Sequence, residues 1–280
     1  MFFLLHQHKL NCIQTMQSCS QCPSCLSGHR QYCALAAGFA FCDLEQGAFA
    51  DYHMIDAAFA YHIPTSISSL HAGVFMCAGA STYEALKAAG TKASDRVGVV
   101  GLGGLGHMAV LFARAMGCAV TVLSGSTVSS ESKAKDAFDL GAEEVRFLKE
   151  PTIGRRRRTD GSVSKDSTED GDINVLLICA NETPDFETIL PLLARRATIV
   201  LMSIQTQSLH IPYMSFLLPG HRISASTEAS TSNHADMVAF AARHKIKPWI
   251  ERFPMTEDGL GKALEKLESG KMRYRGVVEM

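Results

Sequence analysis

Four cysteines stand close together near the start of the sequence: CSQCPSCLSGHRQYC places Cys19, Cys22, Cys25 and Cys33 at spacings of x2, x2 and x7. Four thiolates within one short loop can close a tetrahedron around a zinc ion, and Pro23, Ser24, Ser27 and Gly28 are loop residues able to wrap around it. With all four positions filled by protein, such a site is structural and closed to substrate. The C-x2-C-x2-C start is shared with iron–sulfur runs, but those continue with x3 and Cys-Pro, which is missing here. The nine cysteines are an odd number, and in a cytosolic chain they read as metal ligands and buried thiols rather than disulfides.

The second chemical feature is DRVGVVGLGGLGHMAVLFARAMGC, residues 95 to 118. Val97, Val99 and Val100 form the apolar run of a buried parallel strand, and Gly101, Gly103 and Gly106 follow with the spacing G-x-G-x-x-G. The first glycine allows a tight turn, the second lets the backbone approach a pyrophosphate, and the third lets the next helix lie against the strand. The helix His107 to Met116, closed by Gly117, would aim its first N–H groups at phosphate. This is the pattern of a dinucleotide site.

A second strand, Ala119 to Leu123, ends at Ser124, Gly125 and Ser126. An NAD site has an acidic residue near that strand end to accept hydrogen bonds from the ribose. None stands there, and Glu131 is too far along. Serine hydroxyls can donate to a 2′-phosphate and Lys133 or Lys135 can neutralise it, so the sequence leans towards NADP(H). The competing reading is an ordinary serine-rich loop.

These residues need elements to position them. Ser132 to Leu140 reads as a helix, EEVRFL as a short strand, and Ile173 to Cys179 and Ala197 to Ser203 as buried strands flanking a helix, FETILPLLARR. Arg222 to Glu228 reads as a further strand, and strand–helix alternation at this spacing predicts a doubly wound parallel sheet. Residues 149 to 172 carry Arg155 to Arg158 and then a Ser, Thr, Asp and Glu-rich tract, which predicts a solvated or disordered insertion at 150–171. Residues 1 to 18 show no period. Gly47 to Pro64 suggests a pair of short strands in a small β domain with the cysteine lobe. Leu70 to Gly90 reads as helical with a break near Gly79, where Cys77 on spacing alone is a packing residue. His234 to His244 and Thr256 to Gly270 read as helices, and RYRGVVE as the last strand.

A net charge of −1 and 20% charged residues argue against nucleic acid or an anionic membrane surface as partner. No apolar run approaches a membrane span, and MFFLL is too short and too soon followed by His6, His8 and Lys9 for a signal peptide. A cytoplasmic location and a small-molecule substrate are the expectations.

Taken together, the cysteine lobe at 19 to 33, MCAGASTYEALK at 76 to 87, VGVVGLGGLGHMAV at 97 to 110, and the terminal FAARHKIKPWIERFP and KLESGKMRYRGVVEM closely resemble the zinc-dependent alcohol dehydrogenases of the medium-chain dehydrogenase/reductase superfamily. The resemblance is to the cinnamyl-alcohol-dehydrogenase-like, NADP-preferring branch. It implies a Rossmann sheet plus a partial GroES-like β domain with a structural zinc lobe. The implied domains are 1–76, 77–228 and a C-terminal segment 229–280 returning to the catalytic domain. Cys19, Cys22, Cys25 and Cys33 match the structural zinc ligands, and Cys77 matches the third protein ligand of the catalytic zinc. Ser81 stands where a threonine commonly lies beside the nicotinamide. Gly101, Gly103, Gly104 and Gly106 match the pyrophosphate turn, and Ser124 and Ser126 the 2′-phosphate site. A homodimer through residues 222 to 228 is also implied.

One departure accompanies the match. In the family, the first catalytic-zinc cysteine, the proton-relaying Ser or Thr and a Gly-His-Glu all precede the cysteine lobe. Eighteen residues precede it here, without Gly-His-Glu. The resemblance therefore implies an N-terminally truncated member, an alcohol–aldehyde oxidoreductase of impaired activity. The alternatives are a non-catalytic NADP-binding or dimerising protein, or a zinc-free reductase of the same superfamily, which the intact lobe and Cys77 disfavour.

Overall fold

Arg96–Val100 (β1) lies at the centre of an eight-stranded sheet, between Ala119–Ser124 (β2) and, further along the chain, Ile173–Ile178. The computed structural model describes residues 11–13, 16–38, 49, 56–125, 131–148, 156–158, 163–164 and 171–280. The chain divides into two units, one of Met1–Glu84 with Thr227–Met280 and one of Ala85–Ser226.

In the Ala85–Ser226 unit the remaining strands in chain order are Glu144–Phe147 (β3), Arg156–Arg158 (β4), Val163–Ser164 (β5), Ile173–Ile178 (β6), Leu193–Leu201 (β7) and Arg222–Ala225 (β8). Their spatial order is β8-β7-β6-β1-β2-β3-β4-β5, and the run from β8 to β3 is parallel. Numbering those parallel strands along the chain gives the order 3-2-1-4-5-6 of a Rossmann sheet. The order reverses between β1 and β6. Val97, Val99, Val120, Val122, Leu176 and Leu177 are all buried, because strands covered on both faces must be apolar throughout. At the starts of β1, β3 and β6 an ion cluster ties the sheet together. Arg146 donates to Glu144 at 3.0 Å and to Asp172 at 2.7 Å, and Arg96 reaches Asp172 at 3.2 Å.

Three expectations for this unit are corrected. FETILPLLARR is not one helix: Phe186–Ile189 is helical, Leu190–Leu192 is a 3-10 turn, and β7 begins at Leu193. Pro191 has no N–H to continue the helix, and its ring crowds the preceding turn. The insertion is not wholly irregular either, since β4 pairs antiparallel with β3, and β5 with β4. A bare sheet edge offers backbone donors and acceptors whatever the side chains, so the arginine run adds strands there. The rest of 150–171, apart from Gly171, lies outside the described residues. Arg222 to Glu228 is strand only as far as Ala225.

The other unit pairs Asn11–Ile13 with Ala60–His62 and Met16–Gln17 with Ala37–Gly38, both antiparallel. The first and third of these strands fall within residues 1 to 18, where the sequence shows no period. Ile250–Pro254 pairs in parallel with Arg275–Glu279. Much of the expected strand pair at 47–64 lies outside the described residues. Leu70 to Gly90 has no break at Gly79: Ser69–Val74 runs through a π-helical turn, Phe75–Gly79, into Ala80–Ala88. Ser68, Ser230 and Thr256 cap helices Ser69–Val74, Thr231–Arg243 and Glu257–Glu268 with their side chains, the usual way of satisfying the free N–H groups of a first turn.

Candidate functional site

At the end of β1 the chain turns at Gly101, whose φ is +86°. A Cβ there would also lie 2.8 Å from the Ala180 Cα that follows β6, so only glycine fits. The turn thus sits where the strand order reverses, the place at which open α/β sheets bind nucleotides. Gly106 opens helix Gly106–Ala115, and a Cβ on it would collide with the carbonyl oxygen of Gly101. At Gly103 nothing among the described residues lies within 4 Å of the Cβ position, which leaves its backbone uncovered by them. Gly104 lies between them in the same turn. No side chain among the described residues caps the helix start. His107, fully buried, places Nδ1 3.1 Å from the Gly103 carbonyl and braces the turn in the tautomer that donates from Nδ1. No sequence signal marks His107 for that role.

A cleft of about 100 Å³ brings Gly101, Ser124 and Lys133 together, with Gly125 and Val122 in its wall and no carboxylate among its described lining residues. Ser124 ends β2 and Lys133 is an exposed residue of helix Glu131–Asp139. Among the described lining residues the charge is therefore positive, suited to a phosphate. Ser126 lies outside the described residues.

In the other unit the four lobe sulfurs lie within 4.8 Å of one another. Cys19 and Cys25 are 3.9 Å apart, Cys22 and Cys25 3.5 Å, and Cys19 and Cys33 3.6 Å. A tetrahedron with Zn–S bonds of about 2.3 Å has edges of about 3.8 Å, so the donors fit a zinc ion as they stand. Backbone N–H groups of Gln21 and Cys22 hold the Cys19 thiol down to about 6, while Cys22 is raised to about 11, so only part of the lobe favours the thiolate before a metal binds. The lobe is fastened by Arg30, which donates to the Ala58 carbonyl at 2.8 Å and the Tyr61 hydroxyl at 2.6 Å and stacks over Phe59. The Gly28 carbonyl accepts from Thr231 N at 2.9 Å, at the start of helix Thr231–Arg243.

Cys77 lies in the π-helical turn and Ser81 one turn later. Every residue from Ala72 to Leu86 is buried except these two, which are half-buried. Positions four apart share a helix face, so the thiol and the hydroxyl mark one accessible stripe on an otherwise enclosed helix. π turns in helices often occur at functional sites. Cys77 joins no group of three potential metal ligands among the described residues. Beneath this stripe, Thr82 donates to the Ala78 carbonyl at 2.7 Å and Glu84 accepts from Ser230 and Asn233.

A family model described as zinc-binding dehydrogenase matches residues 104–243, half of the chain. Among curated relatives, the chain is 32% identical over 272 residues to a probable cinnamyl alcohol dehydrogenase 6 of Arabidopsis thaliana, covering 95% of this chain and 70% of the relative. It is 28% identical over 271 residues to an NADP-dependent alcohol dehydrogenase C of Mycobacterium tuberculosis, covering 95% of this chain and 73% of that protein. A solved cinnamyl alcohol dehydrogenase of Sorghum bicolor superposes with a TM-score of 0.78 at 27% identity, over 95% of this chain and 72% of that one. The matched span begins inside the glycine turn, after β1, and runs through the later strands of the sheet, while the relatives extend the likeness to the cysteine lobe. The chain belongs to the zinc-binding dehydrogenases, alcohol–aldehyde oxidoreductases of the medium-chain dehydrogenase/reductase superfamily.

Proposed function

We propose that this chain binds NADP(H) in its Ala85–Ser226 unit and a structural zinc in its cysteine lobe, as an alcohol dehydrogenase or aldehyde reductase whose turnover is impaired in the sequence as given. The observation that carries the cofactor assignment is the cleft that joins Gly101, Ser124 and Lys133 with no carboxylate among its described lining residues. In this reading Gly101, Gly103, Gly104 and Gly106 lay backbone against the pyrophosphate, Ser124 and Ser126 donate to the 2′-phosphate, and Lys133 balances its charge. Residues 77–228 form the cofactor domain, and 1–76 with 229–280 the catalytic one. When bound, NADP(H) exchanges a hydride with substrate and a catalytic zinc polarises the substrate oxygen. Cys77 would be a ligand of that zinc, and Ser81 would border the nicotinamide. The NADP-dependent relative supports this assignment.

The impairment rests on Cys77. A zinc ion with an open position needs about three protein ligands, and Cys77 stands in no such group among the described residues. That same observation favours a second reading, a non-catalytic NADP-binding or dimerising protein. Among the described residues β8 is the last strand of the sheet, an edge that suits a homodimer paired through residues 222 to 228. Cytoplasmic residence would keep the lobe thiols reduced for metal.

Calorimetric titration with NADPH and NADH, followed by a cinnamaldehyde reduction assay on the same sample, tests the proposal. Tighter NADPH binding with slow reduction supports it. NADPH binding with no reduction at all favours the second reading, and preference for NADH overturns the cofactor assignment.

A further inference from the structure

The sulfurs of the cysteine lobe are not evenly spaced. Cys22 and Cys25 Sγ lie 3.5 Å apart and Cys19 and Cys33 Sγ 3.6 Å apart, while the cross pair Cys19 and Cys25 is at 3.9 Å. The closest pair is set by the helical turn Pro23–Leu26, for which Cys22 is the N-cap in extended backbone and Cys25 the third residue. Side chains at these two positions lie over the same helix start. The Cys22 side chain does not cap the turn, and its thiol meets Cys25 instead. Pro23 fixes φ at the first helical position, so the local chain alone holds the two thiols together.

Exposure separates the pairs as well. Cys33 is only 7% exposed. Cys22 and Cys25 are half-buried, and Gln21, Pro23 and Leu26 beside them in the chain are exposed. A small oxidant therefore reaches Cys22 and Cys25 before it reaches Cys33.

We propose that Cys22 and Cys25 are a reversible disulfide site open to small-molecule disulfides, and that closing the bond expels zinc from the lobe. The second half of this inference rests on the structural zinc assigned to the lobe above. One cysteine sulfur, as thiolate, attacks the small disulfide, forms a mixed disulfide with one half of it and releases the other half as a thiolate. The second cysteine sulfur then attacks the protein sulfur of the mixed disulfide, closing the Cys22–Cys25 bond and releasing the remaining half. Two electrons pass from the cysteine pair to the small disulfide, whose two product thiolates take up protons from solvent.

Zinc and this bond exclude each other. Sulfurs around a zinc ion stand about 3.8 Å apart, against about 2.05 Å in a disulfide. A structural zinc needs four donors, and the bond leaves it only Cys19 and Cys33. A disulfide that closes so short a loop removes little chain entropy from the unfolded state, and exposed disulfides are the readily reduced ones. The bond is thus of the transient kind found in reducing compartments.

The full chain, reduced and loaded with zinc, is treated with oxidised glutathione while a chromogenic chelator follows zinc. Free thiols are blocked with N-ethylmaleimide in denaturant, disulfides are then reduced and labelled with iodoacetamide, and fragmentation mass spectrometry reads each cysteine. The expected first product carries iodoacetamide on Cys22 and Cys25 and N-ethylmaleimide on Cys19 and Cys33. Zinc should be released in step with it and rebind after dithiothreitol. The proposal is overturned if Cys19 or Cys33 enters the first disulfide, if only one of Cys22 and Cys25 is labelled, or if zinc stays bound once the bond has formed. Protein that takes up no zinc yet forms the Cys22–Cys25 bond sinks the zinc assignment and leaves the disulfide site standing. Protein that keeps its zinc and resists the oxidant does the reverse.

Discussion

Oε2 of Glu84 accepts hydrogen bonds from both the backbone N–H of Ser230, at 3.0 Å, and its hydroxyl, at 3.2 Å. Asn233 adds a third at 2.8 Å. The carboxylate is buried at the start of helix Thr231–Arg243, where the helix dipole favours negative charge. Glu84→Ala would strand three donors away from water, and a loss of about 3 kcal/mol is expected. Glu84→Gln, which keeps one acceptor oxygen, should lose less. Urea denaturation of the three proteins checks this, and an alanine variant as stable as the parent would refute it.

Gly103 and Gly106 separate binding from folding within one turn. Gly103→Ala adds a methyl where nothing lies within 4 Å, so the melting temperature should hold while NADPH binding weakens, because the methyl occupies the path of the phosphates. Gly106→Ala drives a methyl into the Gly101 carbonyl, a backbone atom that cannot swing away, and a loss of about 1–3 kcal/mol is expected. Thermal melts with and without NADPH distinguish the two. Equal melting temperatures for both variants would contradict the argument.

What could be read in the sequence was local. The run Val97 to Gly106 carries its own strand, turn and helix, and Cys19, Cys22, Cys25 and Cys33 lie within one loop, so spacing alone exposes both sites. The Glu84–Ser230 contact joins positions 146 apart, and no periodicity encodes such a pairing. β7 starts at Leu193, inside a stretch with helical composition, because Pro191 ends the helix and β6 offers a parallel partner for the chain beyond it. Arg156–Arg158 becomes a strand for the same reason, a free edge on β3. His221 shows nothing unusual in sequence, and only the fold buries its Nδ1.

Ser124 should decide between the two dinucleotides. Ser124→Asp places a carboxylate at the end of β2, where it would repel a 2′-phosphate and accept from a ribose hydroxyl. NADPH affinity is expected to fall by at least about tenfold and NADH affinity to rise. Lys133→Ala should weaken NADPH and leave NADH unchanged. Calorimetry with both cofactors measures this, and a Ser124→Asp protein that still prefers NADPH would rule out the assigned 2′-phosphate site.

Metal content separates the cysteine lobe from Cys77. One zinc per chain is expected by mass spectrometry, retained in Cys77→Ser and lost in Cys22→Ser. Loss of the metal should also loosen what the lobe fastens, the Arg30–Tyr61 and Gly28–Thr231 hydrogen bonds, and so lower the melting temperature. Two zinc ions per chain, one of them lost in Cys77→Ser, would show that Cys77 has the further ligands its proposed impairment denies.

His234 makes stability depend on pH in a direction that can be worked out. Its imidazole is fully buried, stacked on Tyr61 with centroids 4.1 Å apart, and Nε2 lies 3.1 Å from the Met76 sulfur. Burial, reinforced by the positive charge of Arg30, lowers its pKa to about 3, against about 6.5 in the unfolded chain. The unfolded state therefore takes up the proton first. The contribution of His234 is fully present above about pH 6.5 and is lost as pH falls towards 3, at about 1.4 kcal/mol per unit. His234→Phe keeps an aromatic ring on Tyr61 and removes the titration. His71 and His221, also lowered by burial, titrate in both proteins and cancel from the difference. Urea denaturation from pH 7.5 down to about 4.5 should give a shallower decline for His234→Phe than for the parent. Parallel declines would mean that the imidazole is protonated within the fold.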